Sequence, residues 1–340
     1  MSKKYYLLII LFSFVLLESF KASLFEGFEK PENFPDPVYD ISKNPVTKES
    51  FELGRKLFYE TALSRDNTIS CGSCHIQSSA FTQHGHDVSH GIEDRLGNRN
   101  SPPIMNLAWN RSFFWDGGVF HLDMFPIAPI TNPVEMDEKM ENVLAKLRSK
   151  NDYRQRFKAV YGSDDISGNQ LFKALSHFMI MCVSSNSKYD SVMRKTGVRF
   201  TEAESRGYKI FLNNCSSCHK EPLFTDGSFR NNGLDNKFNP DTGRQNITLD
   251  PQDNFKFKVP SLRNLTYTVP YMHDGRFTKI DQVLEHYIKG LQDSHTLDPL
   301  LKKNKQLGIP LTQDERIDLK AFLKTLDDKY FITRKDLSEQ

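Results

Sequence analysis

The chain has 340 residues, and its 45 basic and 43 acidic side chains leave a net charge of +2. A hydrophobic content of 38% and a charged content of 26% are ordinary for a soluble globular protein. This length is enough for about two domains, each with its own core. The sequence shows no basic stripe of the kind that nucleic-acid-binding proteins carry, so we predict no nucleic-acid partner.

The N-terminus has the pattern of an export signal. Lys3 and Lys4 precede an apolar run of thirteen residues, 5–17. As a helix this run would rise about 20 Å, less than the ~30 Å thickness of a bilayer's hydrocarbon core. We therefore predict a signal peptide at 1–23 and a periplasmic location. Because no clean cleavage triplet follows the run, an uncleaved membrane anchor stays an alternative.

Two cores share the pattern C-x-x-C-H, CGSCH at 71–75 and CSSCH at 215–219. A short disulfide loop does not need a histidine beside its second cysteine. A structural zinc site needs two C-x-x-C knuckles, or one knuckle with a nearby histidine pair, whereas these cores are 144 residues apart. The pattern is typical of covalently attached haem c, whose thioethers come from the cysteines and whose iron binds the histidine. The predicted attachment residues are Cys71, Cys74, Cys215 and Cys218, and the predicted proximal ligands are His75 and His219.

The regular elements that the sequence predicts are helices. Helical patterns cover 136–149, 168–183, 202–213, 279–289 and 313–326. Capping boxes mark the starts of two of these helices, at Thr201 with Glu204 and at Thr312 with Glu315. The fifth cysteine, Cys182, lies in an apolar run and is predicted to be a small buried side chain.

A similar helix precedes each C-x-x-C-H core. The two segments, LGRKLFYE and RGYKIFLN, have glycine at the same place, Gly54 and Gly207. Glycine inside a helix costs about 1 kcal/mol relative to alanine. Its presence at both places therefore predicts that another helix packs closely against it.

A second repeat follows each core. PPIMNLAWNRSFFWDGGVFHLD and PSLRNLTYTVPYMHDGRFTKID share P-x-x-x-N-L, an Asp-Gly pair and a further aspartate at identical spacing. This agreement without gaps predicts a duplicated unit. We expect a mainly α fold with long loops, made of two cytochrome c-like haem domains related by duplication, at 24–196 and 197–340. Their junction is expected near 184–197.

Five motifs in this order, CGSCH, HGIEDRLGNRNSP, FFWDGG, NPVEM and VPYMHDGRF, resemble the bacterial di-haem cytochrome c peroxidase family. The methylamine-dehydrogenase-maturating di-haem enzyme belongs to the same superfamily. The resemblance extends from about residue 50 to residue 325. It implies a peroxidase that reduces hydrogen peroxide to water with electrons from a small redox protein, a cytochrome c or a cupredoxin. The family is commonly dimeric, so a homodimer is a further expectation.

The resemblance also implies roles for residues around the first, peroxide-reacting haem. His90 matches a displaceable distal ligand, but two extra residues follow it before the R-N-S-P motif, so His84 or His86 could take this place. Glu135 matches the acid/base carboxylate, and Trp115 matches the tryptophan between the haems. On the residues alone, Glu135 could be a charge at a helix start and Trp115 could be only part of the core.

At the second haem, the resemblance implies an axial ligand from Tyr287. Peroxidases of this family have methionine at the matching position, whereas the maturation enzyme has tyrosine. Met272 and His286 remain alternatives. Tyrosine there keeps open a second reaction, the peroxide-dependent oxidation of a partner protein. A non-enzymatic di-haem electron carrier is a third reading of the sequence.

A calcium site between the domains is implied by the resemblance alone. Asn100 and the carbonyl groups of Thr268 and Pro270 match its ligands. The sequence has no Asp-rich calcium loop that would support this expectation independently.

Overall fold

The structure is a computed structural model that describes residues 25, 27–235, 241–303 and 306–340. The predicted signal peptide at 1–23 lies outside these residues. Among the helices of the described part, none has the length and apolar character that a membrane crossing requires.

Helices dominate the described residues, which confirms the prediction of a mainly α fold. The α-helices are α1 (Lys48–Phe58), α2 (Cys71–Cys74), α3 (Ile127–Thr131), α4 (Met140–Ser149), α5 (Asn151–Tyr161), α6 (Gly168–Met181), α7 (Lys188–Met193), α8 (Glu202–Asn214), α9 (Gln245–Thr248), α10 (Ile280–Glu285), α11 (Gln313–Lys324) and α12 (Lys329–Thr333). A π-helix, His286–Gly290, continues α10. Short 3-10 turns lie at Ile41–Lys43, Thr61–Leu63, Gln77–Ser79, Ile92–Asp94, Leu107–Trp109, Leu122–Met124, Pro251–Asp253, Pro299–Leu301 and Lys335–Leu337.

The strands of the described residues are two residues long and form two small antiparallel pairs. The first pair joins β1 (Phe229–Arg230) to β2 (Phe257–Lys258), with Phe229 opposite Lys258. The second joins β3 (Lys302–Lys303) to β4 (Gln306–Leu307). Loops therefore carry most of the chain outside the helices, as predicted.

Most predicted helices are present, with shifted ends. Both predicted capping boxes form, at Thr201 with Glu204 and at Thr312 with Glu315. The helix predicted at 136–149 begins only at Met140, which corrects that prediction. Asp137 has a φ of +49°, and a helix cannot pass through a residue in the left-handed region.

Each unit contains a similar pair of packed helices, and the close contact within each pair accounts for the glycine at the matching place. Helix α1 packs against α6, and α8 packs against α11. A Cβ atom on Gly54 would lie 1.9 Å from the carbonyl oxygen of Ala174, and one on Gly207 would lie 1.9 Å from that of Asp318. The close helix approach predicted at both glycines is confirmed.

The downstream repeats also fold alike. Asn106 and Asn264 both adopt left-handed backbone conformations, with φ of +56° and +63°. Isolated antiparallel bridges close the same turn in each copy, Phe113 with Val119 and Tyr271 with Phe277. Trp115 and His273 therefore occupy equivalent places in the two halves of the duplication.

Two hydrophobic clusters form the cores. The first draws its buried residues from 34–182, with Phe331 and Leu337 added from the C-terminal segment. The second runs from Tyr189 to Leu326. Tyr59 donates a hydrogen bond to the carbonyl of Leu337 at 2.8 Å, so the end of the chain returns to the first core. The domain boundary at 196/197 stays a prediction.

We expect Gly54→Ala to lower the free energy of unfolding by about 1–3 kcal/mol, because the added methyl group overpacks the α1–α6 contact. The measurement is the midpoint of urea-induced unfolding, followed by circular dichroism. Gly168→Ala is the control, since its Cβ would meet its nearest neighbour, Phe172, at 4.0 Å. Equal destabilisation by both changes would contradict the close approach.

Candidate active site

A cavity of about 420 Å³ opens beside the first C-x-x-C-H core. Cys71, Cys74 and His75 line it, and so do Trp115 and Glu135. The structure therefore brings together five of the residues that the sequence predicted for the first haem. This volume lies within the ~300–1,000 Å³ range of small-molecule and cofactor pockets.

The proximal histidine of the first core is oriented by a backbone carbonyl. His75 Nδ1 lies 2.7 Å from the carbonyl oxygen of Phe81, which leaves Nε2 as the metal-binding nitrogen. Phe81 has a φ of +61°, and this turn directs its carbonyl to the ring. Burial lowers the pKa of His75 to about 4, so the ring is neutral, as a metal ligand must be.

The second core repeats this arrangement. His219 Nδ1 lies 3.2 Å from the carbonyl oxygen of Phe224 and 3.1 Å from that of Pro260. Phe224 also has a positive φ, +55°. Burial lowers the pKa of His219 as well. Two neutral imidazoles, each beside a cysteine pair that is free of disulfides, are a donor set that fits two haem c groups.

Glu135 is a half-buried carboxyl group at the first cavity. Asn132 Nδ2 donates a hydrogen bond to Glu135 Oε1 at 2.8 Å. Burial raises the pKa of Glu135, and this hydrogen bond opposes the rise only in part. Burial also raises the pKa of the Cys74 thiol to about 11, with the charge of Glu135 as a further cause. The carboxyl group is thus close to an attachment cysteine, and its raised pKa makes it a better proton donor and acceptor than an exposed glutamate.

The structure turns the His90 side chain away from the first cavity. Its Nε2 lies 3.1 Å from His86 Nδ1, and its Nδ1 lies 2.9 Å from Asp94 Oδ1. Its neighbours Ser89 and Gly91 line the cavity instead.

The other two loop histidines do not enter the cavity either. His84 Nδ1 pairs with Ser79 Oγ at 3.1 Å, and His86 is the partner of His90. Among the described residues, His75 is the histidine that lines the first cavity. His90 as a displaceable ligand therefore stays a prediction.

A second cavity, of about 230 Å³, opens beside the second core. It is lined by Cys215, Cys218, His219, Met272 and Tyr287. The second core thus also faces a cavity that contains candidate axial ligands.

Asn232 holds both of the candidate ligands that line this cavity. Its Nδ2 lies 3.4 Å from the Tyr287 hydroxyl and 3.8 Å from the Met272 sulfur. The third candidate, His286, directs its Nε2 to the carbonyl oxygen of Asn232 at 3.0 Å and is not among the lining residues. Burial raises the pKa of Tyr287. Of the three candidates named from the sequence, Tyr287 and Met272 therefore line the second cavity and His286 does not.

Trp115 is one of two described residues, with Asn100, that line the cavities of both cores. It lines both haem cavities and a smaller cavity, of about 80 Å³, between them. Its Nε1 donates to the carbonyl oxygen of Asn100 at 2.8 Å, and its carbonyl oxygen accepts from the backbone N–H of Lys258 at 2.7 Å. The indole is thus fixed at the junction of the two units.

Asn100 connects this junction to the histidine loop. Its backbone N–H donates to the His273 carbonyl at 2.7 Å, and its Nδ2 donates to the Asp87 carbonyl at 3.1 Å. Thr268 and Pro270 line the same cavity as Asn100. The three residues matched to calcium therefore line one cavity, and calcium binding itself stays a prediction.

Several site residues were not identified from the sequence. Asn132 begins the NPVEM motif but was given no role there, and Asn232 lies in none of the five motifs. The sequence could have identified His273, because the repeat aligns it with Trp115. It is buried and stacked on Phe257, with ring centroids 3.6 Å apart.

We expect the oxidised haem-loaded protein to show a high-spin ferric signal from the first haem, and His90→Ala to leave that signal unchanged. The reason is that His86 and Asp94 hold the His90 ring outside the cavity. The measurement is electron paramagnetic resonance, with exposed His121→Ala as the control. A low-spin wild-type signal that becomes high-spin in His90→Ala alone would contradict this conformation.

Comparisons with known proteins relate this chain to one family. A family model described as di-haem cytochrome c peroxidase matches residues 48–197. The methylamine utilization protein MauG of Methylorubrum extorquens is 34% identical over 90% of this chain and 84% of its own length. The cytochrome c551 peroxidase of Nitrosomonas europaea is 32% identical over 86% of this chain and 84% of its own length. A crystal structure of a MauG-like protein associated with microbial copper homeostasis superposes with a TM-score of 0.83. It is 32% identical in sequence, and the match covers 92% of this chain and 98% of that protein's chain.

The family is described by its two haems, and this chain has two C-x-x-C-H cores, each facing a cavity with a neutral histidine. The expected haem c groups thus have matching sites in both units. The chain belongs to the di-haem cytochrome c peroxidase family.

Proposed function

We propose that the protein is a peroxidase that reduces hydrogen peroxide to water with electrons from a small redox protein. The observation that carries this proposal is the half-buried Glu135 carboxyl group in a cavity whose only described histidine is His75. When bound, haem c supplies the redox-active iron of each site. With haem c bound at His75, Glu135 would be a proton carrier beside the iron, which suits peroxide chemistry better than simple electron transfer. The arrangement therefore disfavours a non-enzymatic carrier.

Glu135 provides the proton chemistry of this proposal. Its carboxylate takes a proton from one oxygen of the bound peroxide and returns it to the departing oxygen, which leaves as water. Two electrons and two further protons complete the reduction of one peroxide to two waters. Asn132 holds Glu135 Oε1, so the position of the carboxyl group is set before peroxide enters.

Trp115 connects the two sites in this proposal. Electrons from the donor protein enter at the second unit, and the indole between the cavities couples it to the first. The donor would be a cytochrome c or a cupredoxin. We further propose a periplasmic location, a homodimer, and calcium at Asn100, Thr268 and Pro270.

A second candidate is the peroxide-dependent oxidation of a partner protein. Tyr287 in the second cavity favours it, because the maturation enzyme has tyrosine at the matching position, and MauG proteins are among the relatives. A phenolate ligand would favour the higher oxidation states of iron. Steady-state peroxide consumption with a reduced cytochrome or cupredoxin separates the two. Sustained turnover supports the peroxidase, and a single turnover without further consumption supports the oxidase.

We expect Glu135→Gln to slow peroxide consumption by about 10²- to 10⁴-fold, because an amide cannot accept and return the proton. Both haem absorption spectra should stay unchanged. The measurement is stopped-flow absorption after peroxide is added to the half-reduced protein. Glu93→Gln is the control, since Glu93 pairs with Arg65 and Arg95 outside the cavity. Wild-type rates in Glu135→Gln would remove Glu135 from the reaction.

We expect Trp115→Phe to retain both haems and to slow the oxidation of the second haem after peroxide reacts at the first. The smaller ring no longer fills the junction between the cavities. The same stopped-flow experiment measures this rate. Trp109→Phe is the matched control, because Trp109 is the other tryptophan of the chain and lies in the first core, bonded to the Pro35 carbonyl. Equal rates in the two variants would show that Trp115 is only a packing residue.

A further inference from the structure

Lys258 is a cation at the junction of the two units without an acidic partner. Its side chain lines the small cavity beside Trp115 and also the second haem cavity. Its Nζ donates a hydrogen bond to the carbonyl oxygen of Ser112 at 2.9 Å. Within the described residues, no carboxylate forms an ion pair with it. One neutral acceptor therefore serves an ammonium group that has three donors.

The nearby acidic group is already engaged. The Asp116 carboxylate accepts from Arg99 Nη1 at 2.5 Å, and its other oxygen accepts from the backbone N–H of Gly118 at 2.9 Å. Arg99 is further paired with Asp241, at 2.7 Å. Arg99 thus has two carboxylates at the junction, whereas Lys258 has none.

This imbalance is costly for the protein alone. A charge removed from water needs a partner, because its desolvation is otherwise uncompensated. Burial lowers the pKa of Lys258 to about 8, and the charge of Asp116 opposes this lowering. An anion that enters the cavity would restore the usual pairing.

Haem c has two propionate carboxylates, and they would be the anions that the cofactor brings into this space. We propose that the Lys258 ammonium binds a propionate carboxylate of the haem held by Cys215, Cys218 and His219. The second haem is preferred because Lys258 lines its cavity and does not line the cavity of the first core. The inference rests on the haem c of this family and not on the reaction proposed above.

The contact has a consequence for electron transfer. A positive charge near the second haem stabilises its reduced form and raises its reduction potential. The backbone N–H of Lys258 also donates to the Trp115 carbonyl, so the bound propionate is held next to the indole between the sites. Lys258 is therefore a positioning residue that sets how readily the second haem gives up its electron.

The test uses the full-length, haem-loaded protein and the variants Lys258→Met, Lys258→Gln and Lys258→Arg. Lys256→Met is the matched control, since Lys256 lies two residues away and pairs with Asp253. Anaerobic redox titration gives the potential of each haem, and resonance Raman spectroscopy reports the propionate bending modes. Neither measurement uses peroxide. A result that overturns the Lys258–propionate contact is therefore distinguishable from a result that overturns the proposed peroxide reduction.

We expect the second haem's potential to fall, and its propionate modes to shift, in whichever neutral variant matures. Lys258→Arg and Lys256→Met should keep wild-type values. If neither neutral variant takes up haem, maturation of Lys258→Arg alone supports the same conclusion. Unchanged second-haem potentials, a fall at the first haem instead, or failure of all three Lys258 variants to mature would overturn the proposal.

Discussion

The buried side chain of Asn100 is the point on which the arrangement of the sites depends. Its backbone and amide groups bond to Trp115, His273, His86 and Asp87. Each such hydrogen bond contributes only about 0.5–1.5 kcal/mol, but these bonds join three parts of the molecule. Asn100 therefore holds three parts together: the tryptophan between the cavities, the equivalent turn of the second unit and the histidine loop of the first. A movement of that loop is therefore mechanically linked to the contact between the two haem sites.

The duplication gives both units a similar fold, and different residues at equivalent positions give the two sites different side chains. Both units have a helix pair that crosses at a glycine, and both have a histidine oriented by a phenylalanine carbonyl. At the Asp-Gly turn, however, one unit has Trp115 and the other has His273. The first cavity has a half-buried carboxyl group and, among the described residues, no histidine besides His75, whereas the second has Tyr287, Met272 and His273. The same fold thus yields two cavities with different side chains for chemistry.

The sequence predicts what depends on local spacing. Cysteine and histidine spacing indicated the haem cores, and the repeated glycines indicated close helix packing. It did not predict the orientation of His90, because this depends on hydrogen bonds to His86 and Asp94 across the folded loop. Lys258 was missed for a similar reason. A lysine in a strand has no special pattern, and its importance arises only because folding pairs Asp116 with Arg99 instead.

Under the two proposed functions, the ligand of the second iron would distinguish the two reactions. Of the candidates named from the sequence, Tyr287 and Met272 line the second cavity, and Asn232 Nδ2 lies near both the Tyr287 hydroxyl and the Met272 sulfur. Axial ligands move haem potentials over about 0.8 V. A methionine ligand would favour an electron reservoir for repeated peroxide reduction, whereas a phenolate would favour storage of oxidising equivalents. Burial raises the pKa of Tyr287, so the phenolate forms only if the metal binds it strongly enough to displace the proton. If Tyr287 binds the second iron, the strength of the iron–phenolate bond would therefore influence which of the two proposed reactions the protein performs, continuous peroxide reduction or oxidation of a partner protein.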